Sequence, residues 1–120
     1  MMLLTKELRA KLPPIGAQDG KPPSRVPVVA KFFTPDGNWT WYATEWDSED
    51  LFFGFVAGME NELGYFSLSE LQAIRGRLGL PVERDRGFSA TLRDVLVRHG
   101  EEGLADALER RGRAAETVGT

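Results

Sequence analysis

Apolar and polar positions change period twice along this 120-residue chain. Leu4, Leu8 and Leu12 recur every four residues around Thr5, which predicts a short helix over about 6–12 with Thr5 as its N-cap. Pro13-Pro14 ends it, because proline lacks a donor and disfavours helix in the residue before it. Residues 16–25 form a polar, glycine- and proline-rich loop, expected to be the most mobile internal segment. From Val26 onward, runs dense in aromatic and β-branched residues predict strands over 26–34, 39–46, 51–57 and 62–66. The separators Pro35-Asp36-Gly37-Asn38, Asp47-Ser48-Glu49-Asp50 and Gly58-Met59-Glu60-Asn61 are turn sequences. Turns this short join consecutive strands antiparallel.

The helical period returns after Phe66. Ser67 and Glu70 have capping-box spacing. Leu68, Leu71, Ile74 and Leu78 mark a helix to about Arg75, stopped by Gly76 or Gly79. Residues 80–85 read as extended. Ser89 is the expected cap of a third helix with Leu92, Val95 and Leu96 as its stripe and Gly100 as its end. A last helix, about 101–111, offers Leu104, Ala107 and Leu108 as an apolar face. Residues 112–120 lack a core-forming pattern and are expected to fray. The fold class expected is α+β: a four-stranded, mostly antiparallel sheet over about 26–66, an N-terminal short helix, and C-terminal helices packed on one side. Strict alternation along the second strand puts Trp39, Trp41, Ala43 and Glu45 on one face and Thr40, Tyr42, Thr44 and Trp46 on the other.

Charge adds a second pattern. Eleven of the twelve aromatic residues lie between Phe32 and Phe66. Residues 32–74 contain Asp36, Glu45, Asp47, Glu49, Asp50, Glu60, Glu62 and Glu70 but no Lys or Arg, a formal charge of −8. The flanks are more basic, so the whole chain carries only −3. An isoelectric point of about 5.2 argues against a dedicated duplex-DNA binder. There is no cysteine, which removes disulfides and thiolate zinc sites. No apolar run reaches the length of a signal peptide or a membrane span, and the expected location is the cytoplasm.

No catalytic signature is present. The sheet aromatics suit either a core or a platform that stacks single-stranded bases, but such platforms are lined with Lys and Arg, which this segment lacks. The carboxylates Glu45, Asp47, Glu49 and Asp50 could gather a hard cation, yet EF-hand spacing is missing, and an acidic turn that keeps a strand end soluble is the simpler reading. His99, the one histidine, falls near the end of the third helix, where a cation meets the negative end of the dipole. Gly76-Arg77-Leu78-Gly79 lacks the Lys-Ser/Thr element of a phosphate loop. Arg84-Asp85 reads as a structural clamp in preference to a binding surface. No cofactor, metal or catalytic residue is assigned.

Several motifs together resemble a known family. They are Phe32-Phe33-Thr34-Pro35, Asn38-Trp39-Thr40-Trp41-Tyr42, Thr44-Glu45, Phe52-Phe53-Gly54, Glu62-Leu63-Gly64-Tyr65-Phe66-Ser67-Leu68, Glu70-Leu71, Arg75-Gly76, Leu78-Gly79-Leu80-Pro81, Glu83-Arg84-Asp85 and Phe88. The opening Leu3-Leu4-Thr5-Lys6-Glu7-Leu8 and Leu12-Pro13 fit as well. The family is the bacterial domain of unknown function 2958, and the resemblance covers about residues 1–97, leaving 98–120 as a C-terminal helical extension. The resemblance implies a bacterial protein of plasmids and conjugative elements, sometimes near anti-restriction-type genes. It carries over no activity, cofactor or catalytic residue.

The expected function is therefore a non-enzymatic protein-binding module of a mobile element, with an anti-restriction or anti-defence role as its stronger form. A basic protein partner would dock on the acidic segment, with Trp41, Glu45, Asp47, Glu62, Tyr65, Arg84 and Asp85 as candidate contacts. Two alternatives stay open. One is a small metal-dependent hydrolase using Glu45, Asp47, Glu62 or Asp85. The other is a single-stranded nucleic-acid binder, which an exposed aromatic platform near Arg75, Arg77 or Arg84 would favour. An exposed edge strand would also allow a dimer, and the sequence leaves the oligomeric state open.

Overall fold

Thr5 caps the first helix, α1 (Lys6–Lys11), by accepting a hydrogen bond from the Leu8 amide at 3.2 Å. The computed structural model describes residues 2–118. Five strands make the main sheet: β2 (Ala30–Phe33), β3 (Thr40–Trp46), β4 (Leu51–Ala57), β5 (Asn61–Ser67) and β6 (Glu83–Arg84), in the order β5-β4-β3-β2-β6. Every pairing is antiparallel. The expected first strand breaks after Val28, so that β1 (Pro27–Val28) pairs with β7 (Ala90–Thr91) in a separate two-stranded sheet. The sheet is thus α+β as expected, with β6 added from the extended segment after Pro81. The chain reaches β6 by leaving β5 through α2 (Leu68–Ala73) and crossing to the opposite edge of the sheet.

The two faces bury different clusters. Phe32, Trp41, Ala43, Trp46, Phe52, Val56 and Phe66 pack beneath Leu3, Leu4, Leu12, Leu68 and Leu71. Tyr42, Phe55 and Ala57 pack beneath Val26, Val28, Leu92, Val95, Leu96 and Ala105. The second face carries the C-terminal helices α3 (Leu92–Arg98) and α4 (Glu102–Val118). One expected helix start is corrected, and one cap differs in detail. Thr91, not Ser89, caps α3, through a full capping box with Asp94. Ser67 does cap α2, but Glu70 returns to the Ser67 hydroxyl and not to its amide.

Strict alternation fails in β3. The register with β4 shifts between Ala43 and Glu45, a β-bulge that leaves Thr44 unpaired. An extra residue reverses the facing of everything after it. Trp46 therefore joins Trp41 and Ala43 on the first face, while Glu45 turns to the side of Tyr42.

The helix expected over 101–111 runs on to Val118. Its buried side is Ala105, Leu108 and Gly112, with Leu104 and Ala107 exposed. Ser24 clamps it by donating its amide (3.0 Å) and hydroxyl (2.5 Å) to the Glu109 carboxylate. These bonds hold the Glu109 carboxyl below its ordinary range. The fraying expected over 112–120 does not hold as far as Val118; Gly119 and Thr120 lie outside the described residues.

A Cβ on Gly112 would stand 2.3 Å from the Pro22 backbone nitrogen. Overpacking of this kind costs about 1–3 kcal/mol. Gly112→Ala is therefore expected to lower the urea midpoint although alanine is the better helix former. An unchanged or raised midpoint would mean that α4 does not seat on Pro22.

Candidate functional site

Turns leave backbone amides without partners, and a nearby carboxylate is the strongest acceptor a side chain offers them. Half of the acidic run is used in this way. Glu45 is 2% exposed, and its two oxygens accept from the amides of Gly16 (3.0 Å) and Gln18 (2.7 Å). The loop expected to be most mobile is thereby tied to the sheet. Asp47 Oδ1 accepts from Glu49 (2.8 Å), Asp50 (2.9 Å) and Leu51 (2.9 Å), and these amides, that of Leu51 foremost, hold its carboxyl below the ordinary value. Asp50 accepts from the Ser69 amide (2.9 Å) and hydroxyl (2.6 Å). Asp36 Oδ2 accepts from Leu78 (2.7 Å), and Gly76 lacks a Cβ where the carboxylate rests. Glu49, Glu60, Glu62 and Glu70 remain exposed.

The expected contact residues occupy very different environments. Trp41 and Glu45 are buried and offer nothing to a partner. Asp47 is exposed, but one oxygen of its carboxylate, Oδ1, is taken by its own turn. Arg84 donates to the carbonyls of Met2 (2.8 Å) and Leu3 (3.2 Å), while Asp85 pairs with Lys31 at 3.6 Å and accepts from Gly87. The two neighbours brace different segments, in keeping with the structural reading. Glu62 and Tyr65 are exposed on β5, at the edge of the sheet. The seven residues do not converge. Among the described residues, no three His, Asp or Glu side chains gather as metal ligands.

What does converge lies at one end of the sheet, where the turns after β2 and β4 meet the segment after α2. Trp39, 40% exposed, stacks on the buried Trp41 with ring centroids 5.9 Å apart. Around this pair a groove of about 800 Å³ is lined by Gly58, Met59, Ile74, Arg75 and Arg77, among others. Met59 is 91% exposed, and Leu78 and Leu80, held to Asp36 through their amides, are 80% and 42% exposed. Of these, Trp39 and Met59 line the groove, while Leu78 and Leu80 are exposed on the segment that follows Arg77. Arg75 bonds the carbonyls that end α2, whereas Arg77 makes no hydrogen bond or ion pair among the described residues. Sequence reasoning passed over this group. Its signal was the apolar residues Met59, Leu78 and Leu80 inside segments otherwise composed as turns.

His99 has a different role from the cation expected at a helix end. It caps α3, and its Nε2 lies 2.8 Å from the hydroxyl of the buried Tyr42. Burial lowers its pKa from the ordinary 6.5, helped by the charges of Arg98 and Lys31, while burial raises that of Tyr42. The pair is a hydrogen-bonded part of the second face.

The architecture defines an antiparallel α+β domain with both sheet faces covered and an apolar groove at one end. The chain belongs to the family described as Protein of unknown function (DUF2958), whose model matches residues 3–97. The match stops one residue before α3 ends, and α4 beyond it still contributes Ala105 and Leu108 to the same core. No curated protein and no solved structure matches the chain. No helix among the described residues is long and apolar enough to cross a membrane.

The His99 geometry sets a pH dependence. The unfolded chain takes up a proton near pH 6.5, the folded chain only at lower pH, so in that window unfolding binds protons and stability falls as pH falls. Urea titrations should show wild-type stability declining from pH 7 to about pH 5.5, with most of the decline absent in His99→Gln. A flat wild-type profile across this range would contradict the lowered pKa of this half-buried imidazole.

Proposed function

We propose that this protein is a non-enzymatic protein-binding module that docks its partner in the groove at the Trp39 end of the sheet. The observation that carries the reading is the groove in which exposed Trp39 and Met59 stand beside an uncommitted Arg77, with Leu78 exposed next in the chain. Buried aromatics and arginine are the usual anchors of interfaces. Arg77 calls for a carboxylate on the partner, so the complementary surface is an apolar side chain with an acid beside it. This differs from a basic partner on the acidic segment, since half of those acids already serve backbone amides. The same fact weakens charge mimicry of DNA, which needs many outward-facing anions. The bacterial, plasmid or mobile-element setting and the anti-restriction role belong to this proposal through the family resemblance alone.

A base-stacking platform is the competing reading, because Trp39 stands near Arg75 and Arg77. Against it, Trp39 is the only exposed ring in the groove lining among the described residues, its neighbour Trp41 being buried, and the groove also carries the acids Glu70 and Asp36, which a nucleic-acid backbone would meet unfavourably. The test is capture with a tagged chain from a lysate of the encoding organism, with and without nuclease. A stoichiometric protein should survive nuclease. Arg77→Glu should weaken it about ten-fold or more without altering the melting temperature, and Trp39→Ala should weaken it as much while also lowering the melting temperature, because its ring packs on Trp41. Retention that both variants leave unchanged would move the site elsewhere, and material lost on nuclease treatment would favour the stacking platform.

A further inference from the structure

The two edges of the main sheet differ. On one side β6 is only two residues long, and Arg84 reaches from it to the carbonyls of Met2 and Leu3. On the other side β5 is seven residues long and pairs with β4 in unbroken register from Leu51↔Ser67 to Ala57↔Asn61. Its outer backbone edge has no hydrogen-bond partner among the described residues. Proteins blunt such edges with proline, lysine, a bulge or a covering segment. β5 has no proline, no lysine and no bulge, and its one charge is Glu62. The only segment that reaches this edge is the α3–α4 corner, where the Asn61 side chain donates to the His99 carbonyl at 3.1 Å, leaving the edge at residues 62–67 uncovered among the described residues.

The chemistry along β5 is directional. Acids stand at its start, with Glu60 in the preceding turn and Glu62 in the strand, and aromatics at its end, Tyr65 and Phe66. Gly64 lies at the centre, with no atom within 4 Å of where a Cβ would sit. Tyr65 is 59% exposed although its ring meets Phe53 edge-on at 5.1 Å, and Leu63 beside it is half-buried. Together these three make an apolar ledge that ends at the open edge.

We propose that β5 is a dimerisation edge, pairing antiparallel with β5 of a second copy of this chain about a two-fold axis at Gly64. Antiparallel self-pairing sets opposite ends side by side. Leu63 then faces Tyr65 of the second copy, joining the two ledges, and Glu62 faces Phe66, so no like charges oppose. Parallel pairing would set Glu62 against Glu62. The occupant is a second copy because this one strand carries both halves of the complement. The pairing does not rest on the groove reading: the axis lies on the β5 edge, and Trp39 is on the other side of β4.

The test is sedimentation equilibrium of the full chain over a wide concentration range, with amide exchange read on the same samples. A species of twice 13.4 kDa is expected, with the amides of 61–67 becoming slower to exchange as concentration rises. Tyr65→Lys, at an exposed position, should raise the dissociation constant about ten-fold or more, since the Tyr65–Leu63 pair occurs twice about the axis. A monomer at every concentration overturns the proposal. So does a dimer in which residues 61–67 exchange as fast as in the monomer. The wild-type exchange decides the matter even if Tyr65→Lys fails to fold.

Discussion

A carboxylate taken out of water must find hydrogen-bond donors, and the burial of Glu45 imposes that requirement at the centre of this fold. The β-bulge at Thr44 turns Glu45 away from the face of Trp41 and toward the loop after Pro14. Two amides of that loop, Gly16 and Gln18, complete the carboxylate. The loop so anchored leads directly into Pro22 and Pro23, both fully buried, on which Gly112 of α4 rests. Leu92 of α3 then bonds back to the Val26 carbonyl just beyond. One charged contact thus connects the bulge, the loop and the helices that cover the second face.

The same economy runs through the acidic segment. Asp36, Asp47 and Asp50 each close a turn or hold the segment that follows one. Read as a sequence, the eight acids look like an outward field that steers a basic partner. In the fold, four of them face backbone amides, and the solvent-facing remainder is dispersed between the β3–β4 turn, the β5 edge and α2. The exposed groove is largely apolar and lies where three connecting segments meet at one end of the sheet.

How much of this was legible depended on the range of the interaction. Local signals read well: Thr5 as a cap, the 51–57 strand, the Leu92, Val95 and Leu96 stripe, and the motifs that carry the family resemblance. Non-local ones did not. Nothing in Ala43-Thr44-Glu45 announces a bulge, yet it reverses the facing of Glu45 and Trp46. β6 has two residues, too few for a periodic signal, and exists because Phe32 and Phe33 offer a free edge. The seat of α4 uses Ala105 and Gly112, whose small side chains a hydrophobicity pattern discounts but close packing on Pro22 requires. Most of the candidate site was missed for a related reason. Spacing marks an acid as charged but does not tell which turn amides it will meet, and Trp39 and Met59 meet Arg75 and Arg77 only through the crossing from β5 to β6.

The central claim, that the acidic segment works inward on backbone amides, is tested most directly by amide hydrogen exchange at Gly16 and Gln18. Gly20 in the same loop, whose amide has no acceptor among the described residues, supplies an internal reference. If Glu45 anchors the loop, Gly16 and Gln18 should exchange far more slowly than Gly20, at rates approaching those of the sheet. Exchange of all three at one fast rate would mean that the loop is open, and that the Glu45 carboxylate does not hold the fold together in this way.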